Sequence, residues 1–303
     1  MGNIVTSGQI PDFVAQDFMK IFDDGIKSET PIFDRIFNVL TSKHEFEKMS
    51  GATGLPLFVK KYPGKAKTGY GAIKQKFDKT FTHDTLALYS KMAKEPMDDD
   101  TSGQLRKVPQ KMAISAIQTI ETEAATVIDR AQNGSYLGPD GKSLLATDHP
   151  RSDGGSWSNR PAVDSDISVT VLETELAAMR GTVDDYGNPL RLMPVLLLGG
   201  SEQEFIFKQL LINADKAGTA NRDINAIKDR GLKYLLDDYI TDPDLWMLLT
   251  PKEKRQLIFF WREKINQKVG VASDTSDAII HEARMRFSKG WVSAYGHHGS
   301  IGA

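Results

Sequence analysis

The chain has 303 residues, of which 40% are hydrophobic and 26% are charged, and its formal net charge is -2. These values are ordinary for a globular protein, so they exclude wholesale disorder, and the balanced charge gives no global attraction to nucleic acid. The absence of cysteine excludes disulfides, thiolate metal sites and cysteine nucleophiles, and no apolar run approaches the ~18 residues that span a bilayer.

Two amphipathic stretches are predicted at the start of the chain. Residues 9–24 carry apolar side chains at helical spacing, including Phe13 and Phe18, and Pro31 opens a second candidate helix whose apolar face continues to Leu40. Such a stripe usually faces the core of its own chain, but it can also belong to an arm that packs on a neighbouring subunit. No basic region precedes an apolar segment here, so we expect no secretory signal.

Residues 55–89 favour a long β-hairpin, because apolar and polar side chains alternate weakly on both sides of a turn-forming segment at residues 63–71, which we expect to be a flexible tip. The charge of this region is lopsided, since seven lysines face only Asp78 between residues 55 and 79. Three interpretations compete: a strand edge that lysines protect from pairing, binding of nucleic acid, and contact with an acidic neighbouring subunit. The lysines are Lys60, Lys61, Lys65, Lys67, Lys74, Lys76 and Lys79.

The strongest predicted helix spans residues 101–132, where apolar side chains recur every three or four positions. Thr101 and Gln104 suit a capping box, Pro109 either kinks the helix or marks its true start, and Asn133 with Gly134 supplies the stop. The acidic run Asp98, Asp99 and Asp100 precedes this helix. It lacks the ligand spacing of a cation site, so helix capping is the favoured interpretation.

The rest of the chain alternates loop and mixed α/β patterns. Residues 134–168 are rich in glycine and proline and predict a long loop. Residues 169–275 predict a second domain with its own sheet, with helices at 171–180 and after a Ser201 cap, and strands at 194–198, 232–240, 245–249 and 257–261. Residues 278–293 form another strand pattern, and the tail from Tyr295 is expected to be extended, with His297 and His298 in solvent.

Motifs that carry chemistry are absent from the sequence. There is no phosphate loop, no dinucleotide fingerprint and no nucleophile elbow, and none of the six histidines forms a helical zinc pair. We therefore predict no catalytic, cofactor-binding or metal residue. Asp148, His149 and Ser152 leave open a cytosolic hydrolase centred on the loop from Ser143 to Asn159, although neighbouring loop residues rarely point at one another.

Six segments, in order, resemble the major head subunits of Mu-like phages. They are Leu144–Pro150, Gly155–Arg160, Gly218–Asn225, Thr241–Trp246, Phe259–Arg262 and Ala283–Trp291. The resemblance covers roughly residues 100–303 and implies an α+β fold of the HK97-like capsid type. Its expected parts are an N-terminal arm (1–43), an extended β-hairpin called the E-loop (44–95), a peripheral domain with a long spine helix (96–168 and 276–303) and an axial α/β domain (169–275).

The resemblance also implies a function. A chain of this family is a capsid protein without enzymatic activity, which self-assembles into hexamers and pentamers of an icosahedral shell around double-stranded DNA. It would be assembled in the cytoplasm of a host bacterium, reside in the virion, bind no membrane, contact packaged DNA non-specifically and have scaffold, portal and decoration proteins as partners. An encapsulin-like compartment shell is the alternative with the same fold. The expected inter-subunit contacts are Phe13, Phe18, Lys60, Lys61, Lys65, Lys67, Lys74, Lys76, Asp98, Asp99 and Asp100.

Overall fold

The computed structural model describes residues 10–58, 72–93, 95–96, 99–213, 225–271 and 278–303. Helices and sheets are mixed, which confirms the α+β class. The helices are α1 (Ile10–Ser28), α2 (Phe33–Ile36), α3 (Val108–Asp129), α4 (Val169–Gly181) and α5 (Glu204–Ile212). The strands are β1 (Asn38–Thr41), β2 (Phe46–Ala52), β3 (Gln75–Thr82), β4 (Asp84–Met92), β5 (His149–Pro150), β6 (Ser156–Trp157), β7 (Leu196–Gly199), β8 (Lys233–Leu236), β9 (Trp246–Leu249), β10 (Leu257–Val271), β11 (Ile279–Trp291) and β12 (His297–Ser300).

The first sheet has the strand order β1-β10-β11-β4. Strands β10 and β11 form a long antiparallel pair, and β1 adds to the outer side of β10 in parallel. The expectation that residues 257–261 join the second sheet is therefore wrong. A short apolar run predicts that a strand forms, but it does not predict which sheet the strand joins. Here the pairing with its antiparallel partner β11 places β10 in the first sheet.

The second sheet has the order β12-β9-β7-β8, and its outermost strand β12 overturns the expectation of a solvated tail. His297 and His298 are buried, because β12 pairs antiparallel with the wholly buried strand β9. Gly299 makes this close pairing feasible, since a Cβ atom there would lie 2.4 Å from the carbonyl oxygen of Trp246. Burial lowers the pKa of His297 to about 3, so this ring is neutral in the folded chain.

Helix α3 is the central helix, at about 33 Å for its 22 residues. It is shorter than predicted at both ends. Pro109 marks the true start, in the first turn, where its missing N–H costs nothing. The predicted capping box does not form. The Oδ1 of Asp100 instead accepts from the backbone N–H of Ser102 and its Oδ2 from that of Leu105, which confirms the acidic run as a cap at this one residue.

The main hydrophobic core joins α2 and α3 to both sheets, and a second cluster joins α4 and α5 to the second sheet. Phe33, Ile36 and Phe37 are buried in the main core, but Leu40 lies on β1 and is half exposed, so the second predicted helix ends early. Glu121 of α3 fastens this segment by accepting the backbone N–H groups of Ile32 at 2.6 Å and Phe33 at 3.0 Å. These bonds satisfy donors that a helix N-terminus leaves unpaired.

The predicted hairpin is present as the antiparallel pair β2–β3, but its first arm lies before the predicted run. Residues 53–58 form no strand, and Pro56 cannot donate to a ladder. Strand β4, which the pattern also suggested as hairpin, belongs to the first sheet. The predicted tip at 63–71 lies outside the described residues. Among the residues that are described, no helix is sufficiently long and apolar for a bilayer span.

Candidate inter-subunit surfaces

The hairpin β2–β3 exposes large apolar side chains, although it is anchored firmly at its base. Leu57 is 75% exposed, and Phe58 is fully exposed. Several large apolar side chains exposed in one region of a subunit indicate a candidate interaction site. The exposed apolar residues of the hairpin and its flanks are Phe46, Leu55, Leu57, Phe58, Ile73 and Phe77, and we call this set the hairpin patch.

Aromatic packing holds the base of the hairpin against the first sheet. Phe81 of β3 is buried, and its ring centroid lies 5.2 Å from that of Phe260 on β10. Ile258 and Val292 complete the same cluster. The base is therefore part of the folded subunit, while the side chains of the hairpin patch stay exposed.

Polar contacts tie the hairpin to the turn that follows α4. The Nζ of Lys76 lies 2.5 Å from the Oδ2 of Asp185, and the hydroxyl of Tyr186 donates to the carbonyl of Ala72 at 2.7 Å. Burial opposes ionisation of Asp185, but hydrogen bonds from Lys76 and Ser152 outweigh it and hold the pKa of Asp185 below its ordinary value. Lys76 is thus paired within its own chain, and its contact with a neighbouring subunit stays a prediction.

The remaining predicted lysines and aspartates fall into three groups. Lys74 and Asp99 are exposed and accessible to a partner. Asp100 is engaged as the cap described above, and hydrogen bonds from Ser102 and Leu105 hold its pKa below its ordinary value. The others, Lys60, Lys61, Lys65, Lys67 and Asp98, lie outside the described residues.

The predicted arm helix α1 packs along α3 within the same chain. Phe18 is buried against Met92 and Ile279, and Phe22 is buried against Met112. Phe18 is therefore a core residue of its own subunit, and the prediction that it contacts a neighbour is wrong. The apolar spacing of α1 could not separate the two cases, because a helix presents the same stripe to either surface. The side chain of Phe13 is outside the described part.

The loop from Gly138 to Arg160 is rigidified by a buried polar cluster. His149 lies between Asp140, at 2.7 Å from its Nδ1, and Asn159, at 3.1 Å from its Nε2. Asn159 also accepts the backbone N–H of Ala146 and donates to the carbonyl of Leu144. These bonds pair the backbone polar groups of Leu144 and Ala146, which lie in the buried part of an irregular segment.

The same geometry does not support the candidate hydrolase centre. Asp148 pairs with Lys142, and the backbone N–H of Ser152 donates to Asp185, so neither residue meets His149 in a catalytic arrangement. Trp157 covers His149 by stacking, with ring centroids 4.9 Å apart. No group of histidines and carboxylates among the described residues could hold a metal ion.

Sequence reasoning missed a second exposed apolar surface, on α5. Phe205 is 73% exposed, and Ile206 and Ile212 are also exposed, whereas Phe207 of the same helix is fully buried. The signal was available, because side chains two positions apart on a helix point to nearly opposite sides and cannot both face the core.

Comparison with known proteins places these surfaces in context. A family model described as phage capsid protein matches residues 77–288. No curated protein matches the chain. Among solved structures, one from Microbacterium phage Oxtober96 is 10% identical, with a TM-score of 0.58 over 91% of this chain and 92% of that one. The capsid of cyanophage P-SCSP1u is 14% identical, with a TM-score of 0.58 over 91% and 89%. A virus-like particle from Pyrococcus furiosus is 8% identical, with a TM-score of 0.56 over 94% and 98%.

Proposed function

The chain belongs to the phage capsid protein family, has the HK97-like fold and is a major capsid subunit, and from this premise we propose that it assembles into hexamers and pentamers of an icosahedral shell around double-stranded DNA. The observation that supports this proposal is the hairpin patch. Its six large apolar side chains are exposed on a subunit that otherwise has well-packed cores. Burial against a neighbouring copy would stabilise the shell by ~25 cal/mol per Å² of apolar surface.

The proposal extends to the contacts of the shell. Apolar burial by the hairpin patch supplies most of the association energy, and exposed charges such as Lys74 and Asp99 adjust the register between copies, at ~0 to 1 kcal/mol for each pair. The lysines and the aspartate outside the described residues keep their predicted roles on this surface. The Mu-like subfamily also stays a prediction.

The proposed setting of the protein follows from the family. The subunit would be non-enzymatic, assemble in the cytoplasm of a bacterial host, and meet scaffold, portal and decoration proteins as well as packaged DNA. The domain boundaries at residues 43 and 168 remain predictions, whereas those at 95 and 275 do not separate the sheets, because β4 and β10 lie before them and both belong to the first sheet. A compartment shell with protein cargo is not favoured, because the family model that matches is one of phage capsid proteins.

Electron microscopy of the purified full chain tests the proposal. Wild-type protein should form closed shells, and replacing both Leu57 and Phe58 by glutamine should abolish them while leaving the subunit folded, because these side chains are exposed. Val163→Gln is the matched control, since Val163 is 76% exposed but lies outside the hairpin patch. Normal shells from the double variant would contradict the proposal, and so would a wild-type protein that stays monomeric.

A further inference from the structure

A cleft of about 360 Å³ lies between the end of α3, strand β3 and the end of β11, and cations converge on it. None of the surfaces discussed so far includes it. Its position next to the base of the hairpin means that it belongs to the rigid body of the subunit. Among its lining residues are Lys79, Arg130, Tyr136, Leu137, Lys289 and Trp291.

Lys79 supplies the first cation. Its Nζ lies 5.6 Å from the ring centroid of Trp291 and 3.5 Å from the carbonyl oxygen of Leu137. No carboxylate of the described residues forms an ion pair with it, and burial lowers the pKa of Lys79. A partly desolvated ammonium without an anion is costly, so a carboxylate brought by a ligand would be favourable here.

Arg130 supplies the second cation. Its guanidinium lies 4.2 Å from the ring centroid of Tyr136, and within the described ranges it too has no ion pair with an acidic side chain. Lys289 differs, because it pairs with Glu123 of α3. Considering the described residues, the cleft therefore holds two cations without an acidic partner beside one, Lys289, that is paired with Glu123.

The cleft also offers apolar surface. Tyr136 and Leu137 are both partly exposed at its rim. Trp291 lines the cleft as well, but it is buried by its own fold and its indole Nε1 packs against Gly138, so this donor is not available to a ligand.

We propose that this cleft binds an acidic peptide segment of a partner protein. Carboxylates of the segment would meet Lys79 and Arg130, and an aliphatic or aromatic side chain of the segment would cover Tyr136 and Leu137. A nucleic acid suits the cleft less well, because the apolar rim residues have no counterpart on a phosphate backbone.

Fluorescence anisotropy with the unassembled full chain tests this proposal. The probe is a labelled peptide of alternating glutamate and leucine. It should bind in a salt-sensitive manner, and Lys79→Met and Arg130→Met should each weaken binding about tenfold or more, since each removes a charge-assisted hydrogen bond. Methionine keeps the apolar stem, and Lys79→Gln is the second variant if Lys79→Met does not fold. The matched control carries Lys233→Met and Lys264→Met, two exposed lysines outside the cleft, and it should bind as the wild type does.

Three results would overturn the proposal. One is equal binding of the peptide by the wild type and the Lys79 and Arg130 variants. Another is equal binding of a peptide in which glutamine replaces glutamate. The third is that the wild type binds a short DNA duplex, that these variants do not bind it, and that the acidic peptide binds to none of the proteins. Shell formation is scored separately by electron microscopy, so failure of peptide binding is distinguishable from failure of assembly.

Discussion

Glu121 on α3 should make the stability of the subunit depend on pH. Burial raises the pKa of Glu121 from 4.5 to about 7, with a contribution from Asp237, although the N–H groups of Ile32 and Phe33 act in the opposite direction. The shift corresponds to about 3 kcal/mol at 1.36 kcal/mol for each unit. Between pH ~4.5 and ~7 the folded chain holds a proton that the unfolded chain has lost, so the free energy of unfolding falls as pH rises through this window.

Glu121→Gln removes this titration and serves as the test. Its amide cannot accept from both N–H groups, so at pH 5 the variant should be less stable than the wild type by about 1 to 3 kcal/mol. Because the variant no longer titrates here, its stability relative to the wild type should rise by about 2.5 kcal/mol between pH 5 and pH 8, so that the gap closes or changes sign. Burial also raises the pKa of Asp237, to about 6, but that group is present in both proteins and cancels.

Urea unfolding of the unassembled subunit, followed by the fluorescence of its four tryptophans, measures this difference at each pH. A stability gap between wild type and variant that stays constant from pH 5 to pH 8 would refute the reasoning. So would a gap that widens as pH rises, since that sign belongs to a carboxyl whose pKa is lowered by folding.

Three further predictions concern the hairpin and the packing of the body. Lys76→Met leaves Asp185 buried without its cation and should reduce amide protection of β2 and β3 in hydrogen exchange. This loss should be largest at neutral pH and fade as pH falls below ~4, because the pKa of Asp185 is lowered from 3.8; protection unchanged at neutral pH would contradict it. Gly299→Ala should destabilise the chain by about 1 to 3 kcal/mol in thermal unfolding, since its Cβ would meet backbone at 2.4 Å, whereas Gly134→Ala, with nothing within 4 Å, should be nearly neutral. Asn159→Ala leaves the N–H of Ala146 and the carbonyl of Leu144 without their side-chain partner and should lower the free energy of unfolding by about 2 to 4 kcal/mol in the same assay.

Periodicity was sufficient to predict the helices and strands that carry a strong local signal. Helix α1, helix α3, helix α4 and strand β11 all lie close to where apolar spacing placed them. Their ends were harder, because capping depends on geometry that spacing does not encode. Asp100 caps the segment before α3, and nothing in the run of three aspartates distinguished it from its neighbours.

The same patterns could not predict which residues lie next to one another in the folded chain. The buried pair His297 and His298 looked like a solvated tail because both residues are polar and their neighbours are glycines, yet β9 completes their burial. Phe18 shows the reverse case: its apolar spacing was correctly identified, and only the packed structure showed that α3 and the first sheet of the same chain cover this side of α1. Lys76 likewise required the position of Asp185, more than a hundred residues away.

The first sheet joins segments that are far apart along the chain. Asn38 of β1 pairs with Ile258 of β10, and Met92 of β4 pairs with Ile279 of β11. Closing loops of this size before any contact is gained slows folding, and it makes β-rich intermediates long-lived. During that interval the exposed apolar side chains of residues 55–58 already face water. Association of partly folded chains therefore competes with the folding of each chain. Slow synthesis or low temperature should raise the yield of native protein.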